Sequence, residues 1–398
     1  MKLPRAPWQS RGGMTRLLGT LGGADGDTRY VGGCVRDTLL GLEVADVDLA
    51  TRLPPDEVLK RLGKARIKAV PTGIAHGTVT AVLEGVPVEV TSLRKDVATD
   101  GRRATIAYTD DWREDAARRD FTINAFSADP GSLDVHDYFG GEADLAARRV
   151  RFIGDPLTRI AEDHLRILRF FRFHARFGGG EPDSEGLDAC AARANDLMAL
   201  SRERIADELL KLLSLPDPAP TVRLMLDRAI LTPVLPEADG ADRLDRLIAR
   251  ESEAGVEPHP LRRLAALIGP GADQAAAVGA RLRLSNRATK RLIAAAANDS
   301  ASDAQMLAYR IGRDEAVDRI LLGPNTAGDA RTLAGWERPR LHVRGGDLIA
   351  MGLTAGPLVA RTLRKLEEEW ARAGFPPGAA RQRELAVELV GQALRDSQ

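Results

Sequence analysis

Cysteine is nearly absent. The 398 residues hold only Cys34 and Cys190, too few for a disulfide scaffold or a cysteine-based zinc site, and a reduced, cytoplasmic protein is expected. Aromatic residues make up 4%. No apolar run approaches the roughly 20 residues that span a bilayer, and the opening MKLPRAPWQSRGGMTRLLGT has no apolar stretch of the kind a secretory leader needs. A soluble protein without a membrane partner is the expectation. Neither sign of charge dominates, with 57 Lys and Arg against 57 Asp and Glu. That excludes a polycationic coat but leaves room for a local basic face that holds nucleic acid. Fixed-period repeats and low-complexity tracts are missing. So are the G-x-G-x-x-G fingerprint and the G-x-x-x-x-G-K-[ST] loop, which sets aside a dinucleotide oxidoreductase and a P-loop enzyme.

What remains is an ordinary globular composition, 44% hydrophobic and 29% charged, long enough for two to three domains at about 150 residues each. Residues 28–150 alternate short β-rich runs with helical ones. TRYVGG reads as a strand entering a turn, CVRDTLLG as a helix closed by Gly41, DVDLAT as a second strand and PDEVLKRLG as a helix. GTVTAVLEGVPVEVTSLR reads as a hairpin turning near Glu84-Gly85. From residue 156 the pattern is helical, beginning with one long amphipathic segment, DPLTRIAEDHLRILRFFRFHARFG. The fold class expected is α+β, a small mixed β-sheet head followed by an all-helical remainder. Phe170, Phe171, Phe173 and Phe177 crowd into eight residues, which marks a packing hub between head and helices rather than a base-stacking surface.

Several motifs can carry chemistry. Alternate residues of a strand face the same way, so Asp46 and Asp48 present two carboxylates to one point. Such a pair suits Mg²⁺, which takes one or two carboxylates and completes its shell with water and phosphate. Thirteen residues earlier, Gly32-Gly33 lies at a strand-to-helix junction where backbone N–H groups favour a phosphate, and Arg36 follows one turn on. Glu89, between Val88 and Val90, is either a third carboxylate at the same edge or an exposed strand position. In RRDFTINAF, Arg118, Arg119, Asp120 and Asn124 either clamp a triphosphate or ribose or pair with one another.

The segment EDHLRILRFFR spaces Asp163 and Arg166 three apart, as neighbours on one helix face. Arg166, Arg169, Arg172 and Arg176 continue that stripe, as a solvated basic face or as the lining of a cleft. A carboxylate only accepts hydrogen bonds and a guanidinium only donates them. An Asp–Arg pair therefore complements cytosine and adenine, each with an exocyclic amine beside an unprotonated ring nitrogen. Uracil and guanine would leave buried groups unpaired, at about 1–3 kcal/mol each.

Taken together, VGGCVRD, DVDLAT, RRDFTINA and EDHLR, in this order, resemble the class II tRNA nucleotidyltransferase family. Its members are CCA-adding enzymes and bacterial poly(A) polymerases, within the DNA polymerase β superfamily. The likeness runs over residues 30–213 and includes SRERIADELLKLL. It implies a nucleotidyltransferase head over residues 1–150, a helical neck over 151–215, a body over 216–280 and a tRNA-gripping tail over 281–398. It implies Asp46 and Asp48 as catalytic Mg²⁺ ligands, Gly33 and Arg36 on the triphosphate, and Arg119 and Asp120 at ribose and phosphate. It also implies Asp163 and Arg166 as the template that selects the base, with Arg169 and Arg172 as nucleotide-binding arginines. The substrates implied are CTP, ATP and the 3′ end of tRNA, with no partner protein.

The polar stretch over residues 95–117 resembles the loop that this family uses in switching to A addition, which favours full CCA addition over a CC-only enzyme. An A-adding specialist or a poly(A) polymerase remains the alternative within the family. A non-catalytic RNA-binding protein on a polymerase-like head is the alternative outside it. His164 stands where the family often has a small residue or Pro. No phosphohydrolase signature follows residue 213. GGDLIAMGLTAGPLVARTLRKLEEEW reads either as a structural hairpin or as part of the tRNA-facing tail.

Overall fold

A seven-stranded mixed sheet organises the first part of the chain. Its strands are β1 (Thr28–Val31), β2 (Asp48–Thr51), β3 (Lys68–Gly73), β4 (Thr78–Leu83) and β5 (Val86–Ser92). After a separate ribbon of β6 (Arg94–Thr99) and β7 (Ala104–Tyr108), β8 (Ser127–Ala128) and β9 (Val135–His136) complete it. The order is β3-β4-β5-β2-β1-β8-β9. Strands β2 and β5 run parallel and their neighbours antiparallel. The computed structural model describes residues 1–99, 104–297 and 303–396. The chain separates once, into Met1–Pro236 and Glu237–Gln398. Of the three boundaries expected at 150, 215 and 280, the last falls inside a helix, Ala272–Arg281.

The first unit carries ten α-helices among the described residues. They are α1 (Met14–Thr20), α2 (Gly33–Leu39), α3 (Pro55–Lys64), α4 (Trp112–Ala117), α5 (Gly141–Ala146), α6 (Pro156–Glu162), α7 (Arg166–Phe177), α8 (Ser184–Ala192), α9 (Arg202–Leu213) and α10 (Ala219–Asp227). The local sequence accounts for most of them. Helix α3 opens on Pro55 with Asp56 and Glu57 in its first turn and ends with Arg61 and Lys64, the charge order its dipole favours. The β4–β5 turn has positive φ at both Glu84 (50°) and Gly85 (88°), as a two-residue hairpin turn matched to strand twist requires.

Three expectations need correction. Strand β2 begins at Asp48, so Asp46 lies two residues ahead of it, outside the ladder. The stretch over 95–117 is not simply a loop. Strands β6 and β7 pair as a ribbon and α4 follows, while residues 100–103 of that stretch lie outside the described residues. The long helical segment breaks in two at Asp163, whose backbone is extended (φ −153°, ψ 106°). Its Oδ1 accepts a hydrogen bond from the Leu165 amide at 3.1 Å, the side-chain-to-backbone bond by which Asp competes with helix continuation. The apolar period runs on across the break, so periodicity alone does not reveal it.

The phenylalanine cluster is core, as expected. Phe170 and Phe171 are fully buried and Phe173 and Phe177 nearly so. Phe121, from the segment after α4, packs on Phe152, Phe170 and Phe173 with ring centroids 4.9, 6.3 and 5.4 Å away.

The second unit is helical throughout its described residues. Its helices are α11 (Asp242–Ala254), α12 (Pro260–Ile268), α13 (Ala272–Arg281), α14 (Asn286–Ala296), α15 (Ala304–Ile311), α16 (Arg313–Leu322), α17 (Ala327–Arg331), α18 (Gly345–Ala350), α19 (Pro357–Arg372) and α20 (Ala379–Arg395). An ionic cluster is buried in it. Glu251 accepts from Arg262 and Arg263 at 2.6 and 2.9 Å, and Asp318 from Arg262 and Arg291 at 2.8 and 2.6 Å. Each charge is matched by a partner, the condition under which buried ions persist.

Candidate active site

The site starts where β1 ends. Gly32 turns the chain into α2 with φ 71° and ψ −125°, a conformation that side chains disfavour. A Cβ there would lie 2.9 Å from Arg119 Nη1, so glycine serves both the turn and the close approach of that guanidinium. A Cβ on Gly33 would meet only Arg36 Nη2, at an ordinary 3.6 Å. Cys34 is packed rather than reactive. It is 1% exposed, its Sγ faces the carbonyls of Val31 and Asp48 at 3.3 and 3.7 Å, and burial pushes its pKa up to about 12.

Asp48 opens β2 and sits in register with Glu89 on the parallel strand β5. Val88 and Val90 are buried, so strand alternation turns Glu89 away from that core, beside Asp48 on the neighbouring strand. Burial and the Glu89 charge push the Asp48 carboxyl up to about 6, with Asp46 adding to the rise and Arg119 opposing it. Crowded carboxylate oxygens on one edge are the donor chemistry of a hard divalent cation. Among the described residues no three His, Cys, Asp or Glu form a closed metal cage. An ion here would therefore rest on one or two carboxylates and fill its shell with water and substrate phosphate.

Arg119 acts on this edge, and it belongs to a set of arginines each held by an acid. Arg118 and Arg119 reach Asp115 at 2.9 and 3.4 Å from one turn along α4. Asp115 is 3% exposed; burial alone would raise its pKa, but the two guanidiniums hold it below the usual carboxylate range. Arg36 is buried, bonded through Nε to Asp37 at 2.7 Å and through Nη1 to Asn124, with its guanidinium 4.1 Å from the Phe177 ring centroid. Asn124 Nδ2 donates to Asp120 at 3.0 Å, and Asp120 accepts from Arg169 at 2.6 Å. Glu208 of α9 then takes Arg172 at 2.6 Å, with Arg169 at 3.7 Å. One polar chain thus links the glycine turn to α7 and α9. On the arginine stripe, Arg169, Arg172 and Arg176 are paired with Asp120, Glu208 and Asp37, and Arg176 is exposed to solvent.

Asp163 and Arg166 are joined across the turn between α6 and α7, with the Arg166 amide 3.0 Å from the Asp163 carbonyl. Their side chains have separate partners. Asp163 Oδ2 accepts from Arg204 at 2.8 Å. The Arg166 guanidinium reaches Glu162 at 2.5 Å and the carbonyls of Arg159 and Arg118 at 2.8 and 3.1 Å.

Known proteins resemble this chain over most of its length. A family profile described as the Poly A polymerase head domain matches residues 28–151, and one described as a probable RNA and SrmB-binding site of polymerase A matches 181–241. The mitochondrial CCA tRNA nucleotidyltransferase 1 of Mus musculus is 33% identical over 94% of this chain and 90% of its own. The chain belongs to the CCA tRNA nucleotidyltransferase family. The CCA-adding enzyme of Levilactobacillus brevis is 42% identical over half of each chain. The crystal structure of the Bacillus stearothermophilus CCA-adding enzyme in complex with CTP superimposes with a TM-score of 0.73 at 26% identity, covering 90% of this chain and 93% of that one. A Thermotoga maritima CCA-adding enzyme complexed with tRNA shares the fold, with a TM-score of 0.64 at 20% identity.

Within this nucleotidyltransferase, sequence reasoning missed Asp115 and Glu208, which hold arginines, and Arg204, which holds Asp163. Asp115 was legible, since it stands three and four residues before Arg118 and Arg119 in a helical stretch. Glu208 and Arg204 were not, because only packing of α9 on α7 brings them to residues 163–172.

Proposed function

We propose that the chain adds CMP, CMP and AMP, from CTP and ATP, to the 3′ end of tRNA without a nucleic-acid template, releasing pyrophosphate at each step. The observation that carries this is the likeness, over most of the chain, to relatives named CCA tRNA nucleotidyltransferase, 33% identical over 84–90% of their lengths. In the reaction the tRNA 3′-hydroxyl attacks the α-phosphate of the bound nucleotide and pyrophosphate leaves. Asp46 and Asp48 would hold a divalent cation, which we take to be Mg²⁺, with Glu89 beside them. When bound, the ion polarises the phosphate and offsets the charge of the leaving pyrophosphate.

The protein itself positions the reactants. Gly32 and Gly33 let the triphosphate approach the backbone, and Arg119 brings a positive charge to the same edge. The Arg36–Asn124–Asp120–Arg169 chain fixes the arginines before substrate arrives, so catalysis is mainly preorganisation and charge neutralisation. Asp163 accepts the exocyclic amine of cytosine or adenine and Arg166 donates to the ring nitrogen. Both groups are already held by neighbours, which lowers the entropy of assembling the reading edge. We place the protein in the cytoplasm, a reducing compartment that suits two free, buried cysteines.

The test is incorporation of each labelled nucleotide, with Mg²⁺, into tRNA ending at the discriminator base, at C or at CC. Ordered addition of two C and one A, without U or G, is expected. A only on CC ends would mean an A-adding specialist, and long A tails a poly(A) polymerase. No incorporation with tRNA still bound would overturn the enzyme reading.

A further inference from the structure

Helix α6 ends at Glu162, and its last carbonyls lose the amide partners that a continuing helix would supply. Arg166 Nη1 takes one of them, the Arg159 carbonyl, at 2.8 Å, and also donates to Glu162 Oε2 at 2.5 Å. Its Nη2 donates once, to the Arg118 carbonyl at 3.1 Å. A guanidinium has five N–H groups. Two of them on Arg166, Nε–H and one on Nη2, therefore have no partner among the described residues.

Arg159 braces the same carboxylate. It is 8% exposed; Nη1 donates to Glu162 Oε2 and Nη2 to the Arg119 carbonyl at 2.5 Å. Burial and the Arg166 charge lower its pKa from the ordinary value, against the pull of Glu162. Its Nε is enclosed with no partner among the described residues. An i, i+3 ion pair on an exposed face would support α6 without burying a charge or orphaning a donor. Helix capping explains why Arg166 meets the Arg159 carbonyl. It does not explain why the Arg159 guanidinium is buried against the carbonyl of Arg119.

The backbone that both arginines grip also carries the Arg119 side chain, which approaches Gly32 and whose charge bears on Asp48. One stretch of chain thus supports the phosphate edge and, through Arg159 and Glu162, the uncommitted edge of Arg166.

We propose that Arg159 is a specificity-determining positioning residue: it clamps Glu162 to the Arg119 carbonyl and so fixes which N–H groups of Arg166 face the nucleobase. Arg159 acts through Arg166 and does not touch the nucleotide. This rests on the reading of Asp163 and Arg166 as the base-selecting pair, and adds the group that sets the angle of its donor edge. Held in place, Arg166 meets an unprotonated ring nitrogen. Free to pivot, the same guanidinium can donate instead to a uracil carbonyl oxygen, which erodes the choice.

Full-length Arg159→Lys and Arg159→Met are compared with wild type in incorporating CTP and UTP into tRNA ending at the discriminator base. Lys keeps the charge but not the fork that spans Glu162 and the Arg119 carbonyl. The ratio of kcat/KM for CTP over UTP should fall about threefold for Lys and about tenfold for Met. Loss of folded protein does not move this ratio, because the same folded molecules read both nucleotides. Should the Met variant fail to fold, Lys carries the test. In an Arg166→Ala background, Arg159→Lys should cost no further discrimination, whereas independent effects would multiply.

An unchanged CTP/UTP ratio in the Arg159 variants, or losses that multiply in the double variant, overturns the proposal. If Arg166→Ala also keeps the wild-type ratio, the base-selecting reading falls and this role with it. If Arg166→Ala relaxes the ratio while the Arg159 variants hold it, only the positioning role falls.

Discussion

Asp120 is the joint of the polar chain, and replacing it tests how that chain is held. The side chain is 7% exposed and accepts from Arg169, Asn124 and the Phe121 amide at 2.6, 3.0 and 2.9 Å. Burial alone would raise its pKa; the Arg169 charge and the hydrogen bonds outweigh that and bring it down to about 2 from 3.8. That difference corresponds to about 2–3 kcal/mol of folding stability. Because the folded value is the lower one, the contribution is complete above pH 3.8 and is lost as pH falls through about 2. Asp120→Asn keeps the shape but removes the anion, leaving Arg169 with Glu208 at 3.7 Å. A loss of about 2–4 kcal/mol is expected, toward the lower end of what breaking a buried pair costs.

Amide hydrogen exchange measures this unit by unit: α7 should lose that protection while α12 keeps its own. The acid sensitivity of wild type between pH 4 and 2 should flatten in the variant. A change below about 0.5 kcal/mol in α7, an equal loss in both helices, or unaltered acid sensitivity would refute the account.

Three further outcomes follow from the site. Asp46→Ala and Asp48→Ala should each lower kcat by about a thousandfold or more, as loss of a metal-holding group does, while a gel-shift assay still shows tRNA bound; removing divalent cations with EDTA should reproduce the pattern. Asp163→Ala and Arg166→Ala should relax base choice, reducing CTP over UTP discrimination by about 10- to 100-fold, since each lost partner is worth about 1–3 kcal/mol; competition between the two nucleotides measures it. Glu208→Ala leaves Arg172 without its 2.6 Å partner and should raise the KM for CTP and ATP alike, with melting about 3 kcal/mol less stable. Glu208→Gln should recover part of both losses.

Much of this protein is settled by local sequence. Strand alternation and turn residues place the β4–β5 hairpin with its Glu84-Gly85 turn, and capping and charge order place α3, because these depend on neighbours a few residues apart. The order of the motifs around Gly33, Asp48, Asp120 and Asp163 is also a property of the chain alone, and it named the family. The helix break at Asp163 was written in one capping side chain but masked by an apolar pattern that continues across it.

Pairings between distant segments required the folded chain. Glu89 stands beside Asp48 because β2 and β5 pair in parallel, and no periodicity in either strand encodes that register. The partners of the arginines, Asp37, Asp120 and Glu208, come from α2, the segment after α4, and α9. A row of arginines at helical spacing specifies positive charge but not what neutralises it. Local interactions therefore determined which elements form and which residue types they carry. Long-range packing decided which carboxylate meets which guanidinium, because burial makes an unpaired charge too costly to leave to chance.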